Sequence, residues 1–462
     1  MSDEHNAGVM GCAGNDIVRT PHLDALARRG VLFDRCYCNA PLCVPSRLSF
    51  TSGKYSSRVN AWSNNSWLPS DDIPSLPRVM SAAGYEPLLC GKMHYDRTRR
   101  YGFRELIPSW GNGVYKTGKV GRRKPDDLAP RPGISTRFRD IGIGESHVTG
   151  HDRAIGRAAV KFLSERKADS APFFLLAGFI APHFPLVVPA PYGERYRGKV
   201  PLPKIPDGHL ASQPLNYKHL RIGFNDEEIP EDTVRKAREL YFGLVEWVDG
   251  EIGKVLDALQ SSEVADSTVV IYTADHGENM GEHGLWWKNC MYDHAARVPL
   301  IVSWPARWKG GQRRTGICSL LDVVKMIADL GGATVPEDWD GDSLLPLVEN
   351  QHARWKDFAV SEYYAHNVAS GFAMIRSGKY KYVYHAAPDK THPAQRELYD
   401  LERDPGEFDN LADIPRYRRR IRRLHEALVQ EIGERPDATD ARCRPEITKG
   451  YGRPPKPQTK QS

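Results

Sequence analysis

Val269-Val270-Ile271-Tyr272-Thr273-Ala274-Asp275-His276-Gly277-Glu278 runs an apolar strand straight into a carboxylate, an imidazole and a glycine. β-Branched and aromatic residues in succession, with no polar alternation, describe a strand buried on both faces. Strands of that kind belong to sheets covered by helices on each side. Open sheets so built bind ligands beyond the carboxyl ends of their strands. A carboxylate and an imidazole at such an end suit a metal site, and a polar turn with a helix cap is the alternative.

The pattern repeats outward from this stretch. Phe173–Ile180 is a second continuous apolar strand, and Val31–Cys38 and Tyr85–Cys90 read as two more. Helices lie between them. Thr20 and Pro21 open one that Gly30 closes, Ser75–Ala83 forms another, and His151–Lys167 and Glu231–Leu259 carry apolar stripes at helical spacing. The expected fold class is α/β, a mostly parallel sheet sandwiched by helices. Residues 99–150 and 182–230 break the rhythm with Pro, Gly and charge, as segments that line a site do, with Trp110 and Tyr115 in the first. After about residue 350 the texture becomes α+β. Phe372–Arg376 and Tyr380–His385 form a hairpin about Ser377-Gly378-Lys379, Glu397–Leu401 adds a strand, and a helix carries Ile421, Leu424, Leu428 and Ile432. The division expected is 1–350, 351–447 and a disordered tail at 448–462.

Composition narrows the function classes. With 462 residues, 40% hydrophobic and 26% charged, collagen-like, disordered and small disulfide-scaffold chains are excluded. A net charge of +6 suits an anionic substrate and gives no reason to expect nucleic acid. The longest apolar run, Phe173–Ala181, is less than half the roughly twenty residues of a membrane span. The opening residues carry no basic-then-apolar segment, so the default reading is cytoplasmic, or periplasmic or secreted if sequence precedes Met1. Eight cysteines are too sparse for a disulfide framework, and Cys36, Cys38 and Cys43 lack the paired knuckles of a zinc site.

Asp3 and Glu4, weak by themselves, join Asp275 as candidate oxygen ligands for a hard cation. The most informative string is Cys43-Val44-Pro45-Ser46-Arg47-Leu48-Ser49-Phe50-Thr51-Ser52-Gly53-Lys54. Pro45 opens a helix and sets Cys43 at its N-terminus, where the dipole favours negative charge. Arg47, one turn on, offers a planar fork to a tetrahedral oxyanion. A buried cysteine before an ordinary helix is the bland alternative.

This string resembles the maturation signature of the type I sulfatases of the alkaline phosphatase superfamily, whose cysteine a separate enzyme oxidises to formylglycine. The resemblance continues, in the family's order, at Gly91-Lys92-Met93-His94, Ala181-Pro182-His183-Phe184-Pro185, Asp275-His276-Gly277-Glu278, Gly284-Leu285-Trp286-Trp287-Lys288, Glu397-Leu398-Tyr399-Asp400-Leu401 and Asp404-Pro405-Gly406-Glu407. It implies an alkaline phosphatase-like fold with an antiparallel C-terminal subdomain, and hydrolysis of a sulfate monoester. Metal ligands would be Asp3, Glu4, the Cys43-derived formylglycine, Asp275 and His276. Family sites more often have Asn where His276 stands, and Asp or Gln at Glu4. The metal implied is Ca²⁺, with Mg²⁺ or Mn²⁺ as alternatives. Arg47 and Lys92 would steady the hydrated aldehyde, and His94 would take the proton whose loss expels sulfate. His183 and Lys288 would hold the sulfate oxygens.

Partners implied are a maturation enzyme and a sulfated carbohydrate or small alkyl sulfate, with choline-sulfatase-like features in the opening Ser-Asp-Glu-His. A phosphonate monoester or phosphodiester hydrolase of the same superfamily is the alternative activity. A non-catalytic polyanion-binding homologue, suggested by Arg418, Arg419, Arg422 and Arg423, is a third reading. The family places an apolar strand just before its first metal aspartate. Asp3 is here the third residue, so the expectation is an open slot in the sheet.

Overall fold

The computed structural model describes residues 1–96, 98–108, 121–130 and 133–449. Trp110, Tyr115 and residues 450–462 of the expected tail lie outside them, and the last helix, Pro436–Lys449, reaches past residue 447. Among the described residues fourteen strands are numbered in chain order. The largest sheet has the order β10 (Cys318–Ser319), β1 (Val31–Tyr37), β8 (Arg297–Ser303), β7 (Val270–Thr273), with β9 (Gln312–Arg314) also on β1. A second sheet runs β3 (Arg104–Ile107), β2 (Glu86–Gly91), β5 (Phe173–Gly178), all parallel. β4 (Gly142–Ile143) and β6 (Val187–Val188) make a small parallel pair.

The expected parallel character holds for β2, β3 and β5 but not throughout. β8 lies antiparallel to both β1 and β7, so the larger sheet is mixed. After β7 the chain passes through residues 274–296 and returns directly beside the strand it left, a connection that needs no crossover helix and therefore reverses direction. A second correction concerns residues 182–230, expected to be irregular, which contain the helix Leu215–Phe224.

Alternation along the strands feeds two cores. Leu32, Tyr272 and Ile301 point into one, against the helices Pro21–Arg28, His147–Ser164 and Glu231–Gln260. Val31, Phe33, Leu300 and Val302 point into the other, against Cys43–Ser52, Leu76–Ala82 and Leu320–Leu330. The C-terminal part is an antiparallel meander, β11 (Phe358–Tyr363), β12 (Phe372–Ser377), β13 (Tyr380–His385) and β14 (Gln395–Asp400). Leu424, Leu428 and Ile432 of the helix Arg418–Ile432 pack on it, leaving Arg418, Arg419, Arg422 and Arg423 exposed.

The two large sheets meet at the chain's first residues. The Met1 amine donates to Ala177 O at 2.9 Å, Phe179 N donates to Met1 O at 2.9 Å, and Ser2 N donates to Thr273 O at 3.0 Å. Ser2 and Asp3 thus bridge β7 and the segment after β5 in parallel sense. The facing edges of β5 and β7 border a cavity of about 550 Å³, lined by residues such as Phe174, Leu176, Leu259 and Ile271. Burial lowers the Met1 amine to about 5.

Candidate active site

Most candidate residues lie just past the carboxyl end of a strand or in the first turns of a helix, and Lys288 comes from the loop after β7. Lys92 and His94 follow β2, His183 follows β5, and Asp275 and His276 follow β7. Asp3 emerges between the last two. Cys43 is the first residue of its helix, entered from Leu42 in an extended conformation. The topology therefore gathers these side chains in one crevice, as it does in other open α/β sheets.

The centre of the crevice is buried and charged. Ligand atoms of Asp3, Cys43, Asp275 and His276 all lie within 4.8 Å of one another, and Asp3, Glu4 and His183 form a second such group. Arg47, wholly buried, clamps both aspartates: Nη2 lies 2.7 Å from Asp3 Oδ2 and Nε 2.8 Å from Asp275 Oδ2. Its Nη1 donates to Lys92 O at 2.6 Å. Lys92 Nζ lies 2.7 Å from Asp3 Oδ2, and Lys288 Nζ 2.9 Å from Glu4 Oε2. His183 Nε2 is 3.2 Å from Glu4 Oε2 and 3.9 Å from Asp3 Oδ1, while its Nδ1 donates to Phe184 O at 2.6 Å. All ten residues expected at the site come together here; Glu4 meets Lys288 and His183 as well as lying next to Asp3.

Electrostatics follow from this crowding. Burial opposes ionisation of Asp3, but Lys92 and Arg47 outweigh it and hold the carboxyl well below the usual range. Burial and Asp3 oppose a Cys43 thiolate, yet Lys288, His276 and Lys92 bring the thiol well below its ordinary value. Burial likewise opposes charge on His276, but Asp275 and Cys43 raise it to about 9. His276 Nε2 lies 3.2 Å from Cys43 Sγ, and its Nδ1 donates to Gly277 O at 3.0 Å. Burial lowers His94, against the pull of its hydrogen bond with Cys43.

Supporting residues escaped the sequence reading. Ser46 Oγ donates to Asp275 O at 2.6 Å. Asp152 accepts from Ile180 N and Ala181 N at 2.8 Å each and anchors the turn that carries His183. Glu278 Oε1 accepts from Met280 N and from Trp287 N, setting the loop that aims Lys288 inward. Trp287 and Asn289, on either side of that lysine, have positive φ (62° and 79°), a costly conformation that persists because surrounding bonds fix it. Glu278 stood in the quoted strand-end motif, but its role depends on residues nine positions away.

Comparisons with known proteins give the family. The family described as Sulfatase matches residues 1–333, and N-sulphoglucosamine sulphohydrolase, C-terminal, matches 281–434. A choline-sulfatase of Rhizobium meliloti (strain 1021) is 31% identical over 435 residues, covering 90% of this chain and 82% of that protein. An arylsulfatase of Clostridium perfringens is 27% identical, covering 98% and 96%. Among solved structures, the phosphonate monoester hydrolase of Agrobacterium radiobacter superposes with a TM-score of 0.78 over 94% of each chain, at 22% identity. That last likeness concerns the fold, which is the alkaline phosphatase-like one. With its family matched across most of the chain and a relative above 30% identity along nearly all of it, this protein belongs to the sulfatase family and is a sulfatase enzyme.

Proposed function

We propose that the enzyme cleaves a sulfate monoester of a carbohydrate or small alcohol, using a formylglycine made from Cys43 as nucleophile. The observation that supports this reading is the placement of Cys43 Sγ among the donors of Asp3, Asp275 and His276, with Arg47, Lys92 and Lys288 around it. Oxidised and hydrated, Cys43 supplies a hydroxyl for attack at sulfur and a second whose deprotonation expels sulfate, splitting one hard displacement into two easier steps.

The donor set fits a divalent cation. Asp3, Asp275 and Glu4 supply oxygens, and His276 turns Nε2 inward while Nδ1 is engaged by Gly277 O. Ca²⁺ is the ion proposed, with Mg²⁺ or Mn²⁺ as substitutes; it would neutralise sulfate charge. Arg47 fixes both aspartates and opposes the effect of their burial, and with Lys92 it steadies the hydrate beside Asp3. His94 takes the proton of the second hydroxyl. His183 and Lys288 turn from Glu4 to the sulfate oxygens and stabilise the charge on the departing alcohol.

The test is kcat/KM for an aryl sulfate against an aryl phosphonate of the same phenol, after co-expression with a formylglycine-generating enzyme. Sulfate preference supports the reading. Phosphonate preference keeps the nucleophile and overturns the substrate class.

A further inference from the structure

One cation at the rim of the crevice is not used by any of these steps. The turn Thr136–Phe138 is pinned by Phe138, which is 4% exposed and packs edge-on against Trp286 at 4.8 Å and Phe184 at 5.8 Å. Phe184 follows His183, and Trp287 precedes Lys288, so this aromatic cluster is the wall beside the two groups assigned to sulfate. Phe224 extends it, 5.0 Å from Trp287 and 5.7 Å from His366. Arg137, next to the anchoring Phe138, lays its guanidinium 4.7 Å over the Trp287 ring.

Two features of Arg137 stand out physically. Its side chain is exposed and, among the described residues, makes no hydrogen bond or ion pair. Of the neighbouring acids, Glu227 pairs with Arg221 at 2.8 Å, and the buried Asp226 is near enough to feel the Arg137 charge but forms no ion pair with it. The cation–π contact with tryptophan holds the guanidinium in place while its N–H groups make no hydrogen bond among the described residues, and such a fork can grip a planar or tetrahedral oxyanion through two parallel bonds. The same stacking puts positive charge on the aromatic surface where a cationic alcohol would dock.

We propose that Arg137 selects sulfate esters whose alcohol carries a second acidic group, a carboxylate or a further sulfate, and disfavours cationic alcohols. This rests on the sulfate-ester reading and narrows its substrate class. The distant group binds the guanidinium fork while the scissile sulfate lies at Lys288 and His183.

The experiment uses four phenyl sulfates bearing, on the same methylene arm, a carboxylate, a second sulfate, a neutral amide or a trimethylammonium group. Wild type should favour either anionic ester over the amide by about fivefold to tenfold in kcat/KM, and disfavour the ammonium ester. Arg137→Ala should bring the anionic-to-amide ratio near one, Arg137→Glu should invert it, and Arg137→Lys should retain part of it. Equal ratios in wild type, or a preference that survives Arg137→Ala, overturn the proposal. Preference for the carboxylate over the second sulfate, or the reverse, tells which acid is read. Turnover of the neutral amide ester reads the underlying sulfatase mechanism separately. If that turnover is missing, the dissociation constants of the four esters for Cys43→Ala decide the charge preference, and identical constants reject the role of Arg137.

Discussion

Replacing Lys381 by Met is a demanding test of how the C-terminal meander is joined to the site loop. Lys381 is wholly buried on β13, and its ammonium is spent on Asp293, on Met291 O at 2.8 Å and on Glu407 Oε1 at 2.6 Å. Glu407 in turn accepts from Asp293 N at 2.6 Å, so strand, site loop and the Asp404–Glu407 turn share one knot. Methionine fills the space but leaves Glu407, 1% exposed, without its own cation, while Asp293 keeps only the longer contact with Arg297 at 3.5 Å. Breaking a buried pair from one side costs about 3–5 kcal/mol, and the orphaned Met291 carbonyl adds about 1 kcal/mol, so a loss of about 4–6 kcal/mol is expected at about pH 8. Burial already raises Glu407 to about 7, Asp293 adding to and Lys381 opposing the shift. A raised acid contributes stability that is complete below its unfolded value and fades as pH rises through about 7. Near pH 5 Glu407 is therefore protonated in both proteins, and the deficit should shrink to about half. Urea unfolding of wild type and Lys381→Met at the two pH values is the assay. Adding Glu407→Gln to the variant should recover about 2 kcal/mol at the higher pH. A deficit below about 1 kcal/mol, or one that grows on acidification, refutes the reasoning.

Lys288→Ala should lower kcat/KM for a sulfate ester by about 10²–10³ while the folded spectrum is kept, since the loss falls on transition-state charge; an effect under tenfold would remove Lys288 from the chemistry. Chelation should abolish turnover and lower the unfolding temperature, and Ca²⁺ at about 100 times its dissociation constant should return about 2.7 kcal/mol of stability; a chelated protein of unchanged stability would contradict the ligand set. Asp249 accepts from His22 N and Leu23 N at 3.1 and 2.8 Å, and burial raises it to about 6. Its contribution is full below about pH 4 and lost as pH rises through about 6, so Asp249→Asn should flatten the decline of the urea midpoint over that window; an unaltered slope would reject it.

Much of the site was legible because its chemistry sits at element boundaries, where local sequence is most informative. An apolar strand ending in Asp275-His276 and a proline-opened helix beginning at Cys43 each specify where a side chain will stand. Strand direction was not legible. Arg297–Ser303 has the residues of a buried strand, but whether it runs with or against β7 depends on the loop between them, not on its own pattern. The helix Leu215–Phe224 was hidden among Pro-rich turns, and His147–Ser164 starts four residues before the expected His151 because Ser146 and Thr149 form a capping box. Positive φ at His94, Trp287 and Asn289 is imposed by tertiary bonds, so no rule about glycine could have found it.

The proposed chemistry rests on Cys43 carrying the reaction once it is oxidised. Sulfate release from an aryl sulfate, measured for wild type and Cys43→Ala after co-expression with a formylglycine-generating enzyme, addresses it most directly, with the mass of the peptide spanning residue 43 read in parallel. An aldehyde at residue 43, turnover in the wild type and its disappearance in the variant are the expected results. Turnover of equal rate in Cys43→Ala, or full activity with residue 43 still a thiol, would contradict it.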